Sequence, residues 1–335
     1  MRILVTGSAG FIGFHVARRL LEDGCTVIGI DGMTDYYDVS LKRQRHAILQ
    51  AHDNFTAHEV MMQDAEALEV VFARAEPEMV IHLAAQAGVR YSLEAPGTYI
   101  GSNIVGTSTL LEALRRHRPL HFMMASTSSV YGANALLPFS EAHRCDHPLS
   151  LYAATKKATE DLAHAYAYNW TIPTTVFRFF TVYGPWGRPD MALFKFIADM
   201  YAGKPIDVYN NGDMARDFTY IDDLVEAVRL LSRVPPRRAG EADPGASPVA
   251  PYRVVNIGNS QPVSLMAFIE AIENATGLTC VRRYLPMQPG DVPRTWADCS
   301  ALLALTGFRP STPLQAGVDA FVAWYRTHYA ASLQQ

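Results

Sequence analysis

The chain has 335 residues, 49% of them hydrophobic and 19% charged, which is ample core material and more length than one hydrophobic core readily fills. Lysine and arginine total 29 against 33 aspartates and glutamates, and the net charge of −4 argues against wholesale nucleic-acid binding. No apolar run reaches the ~18–20 residues that a membrane helix needs.

Met1 leads straight into a glycine loop, with no room for a signal peptide. The four cysteines (Cys25, Cys145, Cys280, Cys299) show neither CxxC nor Cys/His metal spacing. We therefore expect a cytoplasmic protein with reduced thiols and no metal. Short apolar or β-branched runs at residues 2–6, 26–30, 79–84, 121–125 and 174–179 predict strands buried on both faces. Residues 11–23, 65–75, 103–117 and 152–168 predict helices between them. In the third helix Ile104, Thr107, Leu110, Leu111 and Leu114 share one face. Such alternation implies right-handed βαβ crossovers and an α/β fold, a Rossmann-type doubly wound parallel sheet.

After about Gly184 the alternation becomes irregular. Helices are expected at 190–202 and 220–233, a strand at 206–209 and a Pro- and Ala-rich surface loop at 235–251. A strand at 254–257, a helix at 264–276 capped by Ser264 and a final helix at 312–329 complete the chain. The expected organisation is a Rossmann domain over 1–183, joined by parts of about 216–260. A smaller α/β lobe, mainly 184–335, faces it across a crevice that should hold the site.

The first strand ends in Gly7-x-x-Gly10-Phe11-Ile12-Gly13. Gly7 permits a tight turn, Gly10 lets backbone approach a pyrophosphate, and Gly13 allows close helix–strand packing. The helix opening at Phe11 and Ile12 aims its free N–H groups at the anion. The second strand runs into Asp31, whose carboxylate would accept hydrogen bonds from an adenosine ribose and repel a 2′-phosphate, favouring NAD over NADP.

Tyr152 and Lys156 lie four apart on one helical face. A lysine ammonium there would stabilise a phenolate and bring the tyrosine towards neutrality as a general base for an alcohol. The fourth of these strands ends in Ser126-Thr127-Ser128-Ser129, hydroxyls that should face the same crevice. His82, inside a strand, reads as a satisfied buried histidine, and Tyr131 and Tyr183, in glycine turns, as packing residues.

With glycine loop, acid, hydroxyl cluster and YxxxK in this order, the chain resembles the extended short-chain dehydrogenase/reductases of the nucleotide-sugar epimerase and dehydratase group. The resemblance runs from Gly7 to about Asp298 through His82-Leu83-Ala84-Ala85-Gln86, Arg178-Phe179-Phe180-Thr181-Val182-Tyr183-Gly184-Pro185, Arg216-Asp217-Phe218-Thr219-Tyr220-Ile221-Asp222-Asp223 and Pro289-Gly290-Asp291-Val292. Asp35-Tyr36-Tyr37-Asp38, Gln86-Ala87-Gly88-Val89-Arg90-Tyr91-Ser92 and Trp186-Gly187-Arg188-Pro189-Asp190-Met191-Ala192 are most similar to UDP-glucuronate 4-epimerases. The resemblance implies a tightly bound NAD+, a UDP-sugar substrate and a homodimer joined through a four-helix bundle of helices 103–117 and 152–168.

By the same resemblance Leu83, Ala84 and Ala85 line the dinucleotide, Thr127 hydrogen-bonds sugar O4, Tyr152 is the base and Lys156 holds the nicotinamide ribose. Thr181 contacts substrate, Arg216 the UDP diphosphate and Asp291 the uridine ribose; Tyr209, after a strand, is a candidate to stack on uracil. One departure is evident. That group carries an acid contacting adenine after a short strand, and Val60-Met61-Met62-Gln63-Asp64 puts Met61 there or, with a gap, Asp64.

Dehydratases of the group carry Asp-Glu where this chain has Ser128 and Ser129, and decarboxylases carry Glu at Ser129; neither serine can donate a proton at neutral pH. A 4-epimerisation of UDP-glucuronate is the expected activity, with the decarboxylase and the UDP-glucose or UDP-N-acetylglucosamine 4-epimerase as alternatives. A 4-keto uronate is a β-keto acid, so its carboxylate must be kept out of line with the carbonyl π system. Arg188 is the candidate to grip it with paired hydrogen bonds, helped by Ser128 and Ser129; a diphosphate contact or a surface salt bridge is the other reading of Arg188. Arg90 is a candidate for phosphate or carboxylate.

Overall fold

The computed structural model describes residues 1–237 and 244–329. Six strands follow one another in the first half: β1 (Arg2–Thr6), β2 (Thr26–Asp31), β3 (Phe55–Glu59), β4 (Met79–His82), β5 (His121–Thr127) and β6 (Thr174–Phe179). Short strands β7 (Thr181–Tyr183), β8 (Ile206–Val208) and β9 (Ala215–Tyr220) precede β10 (Tyr252–Ile257), which returns to the main sheet. The last two are β11 (Pro262–Ser264) and β12 (Arg282–Tyr284).

The main sheet has seven strands in the order β10-β6-β5-β4-β1-β2-β3, every pair parallel. Its order reverses at β1, which pairs with β2 on one side and β4 on the other. In an open α/β sheet the crevice beyond the strand C-termini at this reversal is the natural ligand site.

Alternation along β1 shows how the core forms. Ile3 and Val5 join one apolar cluster with Phe14, Leu20, Leu224 and Val228, while Leu4 points to the other face with Leu68, Phe72, Leu110 and Leu114. Both faces are thus covered by helices. A third cluster (Ile197, Ile206, Phe218, Phe268, Ile272, Phe321) lies under the three-stranded sheet β11-β9-β7 and the pair β12-β8.

Most expected elements stand within a residue or two. Ser264 caps the Leu265–Thr276 helix by accepting from Ala267 N–H at 3.1 Å. The differences have physical causes. β3 was not expected because only Phe55 in it is buried, and the Val39–Gln50 helix was missed because its sequence, VSLKRQRHAILQ, is largely polar. The strand expected at 79–84 stops at His82, whereas that at 121–125 extends to Thr127. The helix expected at 103–117 is α-helical only over Gly106–Arg116 and is preceded by a π-helical turn, Ile100–Val105. Part of the loop expected at 235–251, residues 238–243, lies outside the described residues. Among the described residues no helix is long and apolar enough to cross a membrane, and all four cysteines are free.

Candidate active site

The glycine loop is shaped by contact. Gly7 has φ +72°, and a Cβ on it would sit 2.7 Å from Ala84 N; a Cβ on Gly13 would overlap the Gly7 carbonyl oxygen. The Thr6 hydroxyl fastens the neighbouring strand end, accepting from Leu83 N–H at 3.2 Å and Ala84 N–H at 3.1 Å. Asp31, buried at the end of β2, accepts from Ala9 N–H at 3.1 Å and Met33 N–H at 2.9 Å through different oxygens, so each keeps capacity for another donor.

Gly7, Gly10, Phe11, Ile12, Gly13, Asp31, Leu83, Ala84 and Ala85 all line one crevice, as the sequence led us to expect. So do Thr127, Ser128, Ser129, Tyr152, Lys156, Thr181, Arg188, Arg216 and Asp291. Arg90 and Tyr209 do not line it. Arg90 stacks over the Tyr209 ring at 4.7 Å and pairs with Asp291 at 3.3 Å, tying the first half of the chain to the second at the rim.

Tyr152 is the second residue of the Leu151–Trp170 helix, whose N-cap Ser150 accepts from Ala153 N–H at 3.1 Å. Its backbone is held by Thr155, which donates to the Tyr152 carbonyl at 2.9 Å and accepts from Asn103 Nδ2 at 3.0 Å. Asn103 also pairs with the Gln86 backbone, donating at 3.1 Å and accepting at 2.8 Å. This relay, for which the sequence offered no signal, locks the base-bearing helix to the loop after β4.

Burial raises the Tyr152 pKa; a hydrogen bond from the Thr127 hydroxyl and the positive charge of Arg188 oppose it. Lys156, expected to carry that electrostatic task, lines the same crevice at 2% exposure, its pKa brought down to about 8 by burial with Glu160 partly offsetting this; Arg188 adds a positive charge on the phenol that the sequence did not assign there. Thr127 is itself fixed at the end of β5, where its Oγ1 accepts from Ser129 N–H at 3.1 Å and lies 3.2 Å from Ser129 Oγ. Arg188 is partly buried and does form the salt bridge of its other reading: its Nη2 donates to Asp190 at 2.9 Å, and Asp190 also accepts from the Tyr36 hydroxyl at 3.3 Å. Arg216 donates to the Ala215 and Pro293 carbonyls at 3.0 and 3.1 Å.

Other expectations are met. His82 sits between the Thr6 hydroxyl at 2.7 Å and the Thr107 hydroxyl at 3.1 Å, its pKa pushed down to about 3 chiefly by burial. Tyr131 donates to Asn256 Oδ1 at 2.6 Å and stacks on Phe139, and Tyr183 is buried. Of the two candidates for the adenine-side acid's position, Asp64 accepts from Ala67 N–H at 3.0 Å as a helix cap and does not line the crevice, whereas Met61 does.

A parallel sheet that presents a glycine loop, a strand-end acid and a Thr/Tyr/Lys set to one crevice defines a dinucleotide-dependent enzyme of the short-chain dehydrogenase/reductase type. The chain belongs to the NAD dependent epimerase/dehydratase family, whose model matches residues 3–257. It is 56% identical over 334 residues to a probable UDP-glucuronate 4-epimerase of Rhizobium meliloti (strain 1021), covering 98% of each. It is 44% identical to UDP-glucuronate 4-epimerase 1 of Arabidopsis thaliana, covering 98% of this chain and 77% of that protein. The crystal structure of UDP-glucuronic acid 4-epimerase from Bacillus cereus in complex with UDP-glucuronic acid and NAD matches with a TM-score of 0.86 at 33% identity, covering 98% of this chain and 100% of that one.

Proposed function

We infer that this chain is an isomerase, a UDP-glucuronate 4-epimerase interconverting UDP-glucuronate and UDP-galacturonate. The observation that carries the reading is the convergence in one crevice of the Tyr152 phenol, the Thr127 hydroxyl bonded to it and the Arg188 guanidinium. NAD fits the loop side, where Gly7 and Gly13 leave the backbone bare and Asp31 has acceptor capacity to spare. When bound there, NAD+ would supply a reversible hydride acceptor for sugar C4 and, being unchanged over a cycle, would be retained rather than exchanged.

Tyr152, as phenolate, takes the O4 proton while the C4–H bond breaks, and gives that proton back when the alcohol re-forms. Thr127 holds O4 and, by its bond to the phenol, favours the charged form. Lys156 positions the nicotinamide ribose. Thr181, Ser128 and Ser129 contact the sugar, Arg216 the diphosphate, Asp291 the uridine ribose and Tyr209 the uracil, with Arg90 released from Asp291 towards the phosphates. The 4-keto sugar must rotate without losing CO2, and Arg188 restrains its carboxylate away from alignment with the carbonyl. A serine at position 129 denies the intermediate the acid that a decarboxylase would use.

The site forms between a Rossmann domain, 1–183 with parts of about 216–260, and a lobe formed mainly by 184–335. The protein works in the cytoplasm as a homodimer. Supporting the dimer, the segments around the Gly106–Arg116 and Leu151–Trp170 helices leave Ile100, Val105, Leu151 and Tyr168 exposed at 50, 45, 42 and 57%, apolar surface suited to a four-helix bundle.

The test is incubation of the purified protein, without added NAD, with UDP-glucuronate, UDP-glucose and UDP-N-acetylglucosamine. UDP-galacturonate as the one major product is expected, and Tyr152→Phe abolishes it. A UDP-pentose from UDP-glucuronate, or epimerisation confined to the neutral sugars, would overturn the reading.

A further inference from the structure

The dinucleotide end of the crevice is lined by a residue with a polar atom that no described residue satisfies. Pyrophosphate at the glycine loop and ribose at Asp31 direct the adenine past the end of β2 to that of its neighbour β3. There the chain turns through Met61, Met62 and Gln63, which line the crevice, with Ser102 of the π-helical turn lining it as well.

Met61 offers the base no useful hydrogen bond. Its thioether lies against Gly32, so closely that a Cβ on that glycine would collide with Sδ. Asp64 is committed to its helix cap. Gln63 is different. Its Oε1 is buried and has no hydrogen-bond partner among the described residues, while its Nε2 lies 3.5 Å from the Cβ position of Gly101, on the π-helical turn. A buried amide oxygen without a donor is costly to keep, and because Gln63 lines the crevice, a turn of its amide towards a bound ligand gives that oxygen a donor.

We propose that Gln63 reads the adenine: Oε1 accepts from the 6-amino group and Nε2 donates to the ring nitrogen N1 beside it. An amide carries donor and acceptor side by side, the complement of an adenine edge, as Asn and Gln use it on DNA. Turned by 180°, the same amide donates to a 6-oxo group and accepts from N1–H, so the pocket tolerates hypoxanthine in place of adenine. The proposal rests on the NAD site and on nothing about the sugar.

The experiment is a competition. Protein stripped of its resident dinucleotide on charcoal is incubated with equal amounts of NAD and nicotinamide hypoxanthine dinucleotide, passed through gel filtration, and the retained dinucleotides are released and counted by mass spectrometry. The parent is expected to retain the two within about threefold of each other. Gln63→Leu should retain about tenfold less of both, without preference. A Gln63→Leu protein that holds NAD as the parent does, or a parent that retains one dinucleotide over the other by tenfold or more, overturns the proposal. A parent that retains no dinucleotide would overturn the cofactor reading itself, so the two failures are distinct, and neither depends on turnover.

Discussion

The guanidinium of Arg45 donates a 2.5 Å hydrogen bond to the carbonyl of Trp186, a residue 141 positions away. Its other arm donates to the Ala9 carbonyl at 2.9 Å and the Tyr37 hydroxyl at 2.8 Å. One fully buried cation therefore holds both the glycine loop and the segment that carries Arg188. Trp186 has φ +62°, a left-handed conformation costing a non-glycine residue on the order of 1–2 kcal/mol, which persists only where surrounding contacts impose it.

Arg45→Lys removes one arm of that tie, because an ammonium is a point charge without the planar fork. The expected result is about a tenfold lower kcat, with some UDP-4-keto-pentose released as Arg188 loses its placement. Product analysis by mass spectrometry checks it; parent-like kcat with no keto product would show that the tie does not position Arg188.

Thr127→Val tests the hydrogen bond to the base. That bond opposes the upward shift caused by burial, so its loss raises the Tyr152 pKa further. The reactive form is the phenolate; the acidic limb of the pH profile of kcat/KM should therefore move to higher pH. A hydrogen bond to a charged group is worth roughly 1.5–3 kcal/mol against about 1 for a neutral pair, and that difference sets the movement at roughly 0.4–1.5 units. Thr127→Ser keeps the hydroxyl and should restore the limb.

Arg188 has two separable tasks, charge beside the phenol and grip on the carboxylate. Arg188→Lys keeps the first and loses the second, so its acidic limb should stay in place while decarboxylated product accumulates. Arg188→Ala should show both the leak and the alkaline movement. A leak-free alanine variant would leave the carboxylate without a restraint at this position.

Stability rests in part on a pair behind the site. Glu160 and Arg178, with side chains 2% and 5% exposed, bond at 2.8 and 3.0 Å, and Ser126 donates to the same carboxylate at 2.6 Å. Burial pushes the Glu160 pKa up, but hydrogen bonds and charge from Arg178 more than reverse it, leaving the carboxyl below its ordinary 4.5. Glu160→Gln leaves a buried guanidinium without its counter-charge and should cost roughly 3–5 kcal/mol in denaturant unfolding. Because the folded pKa is depressed, the pair's contribution is complete above the ordinary pKa and disappears as pH falls through the folded value. The gap between parent and variant should therefore be full above pH ~4.5 and close below it.

Local chemistry decided what the sequence made legible. Buried parallel strands are continuous apolar runs, helices carry a 3.6-residue period, and a phosphate loop needs its glycines where backbone meets ligand. These requirements act within a dozen residues, so β1, β2, β5 and β6, the glycine loop, Asp31 and the Tyr152–Lys156 pair could all be found from residue order. β3 and the Val39–Gln50 helix could not, since they are packed on one side at most and owe their form to their neighbours.

Only the fold decided which distant groups meet. Arg188 reaches the phenol from a distant segment, Arg45 ties two loops through the core, Asn103 fixes the base-bearing helix, and Gln63 keeps a buried amide oxygen without a partner among the described residues. The reason is physical: burial and charge work through space over a few ångströms, and no spacing along the chain records which side chains the folded sheet will bring that near.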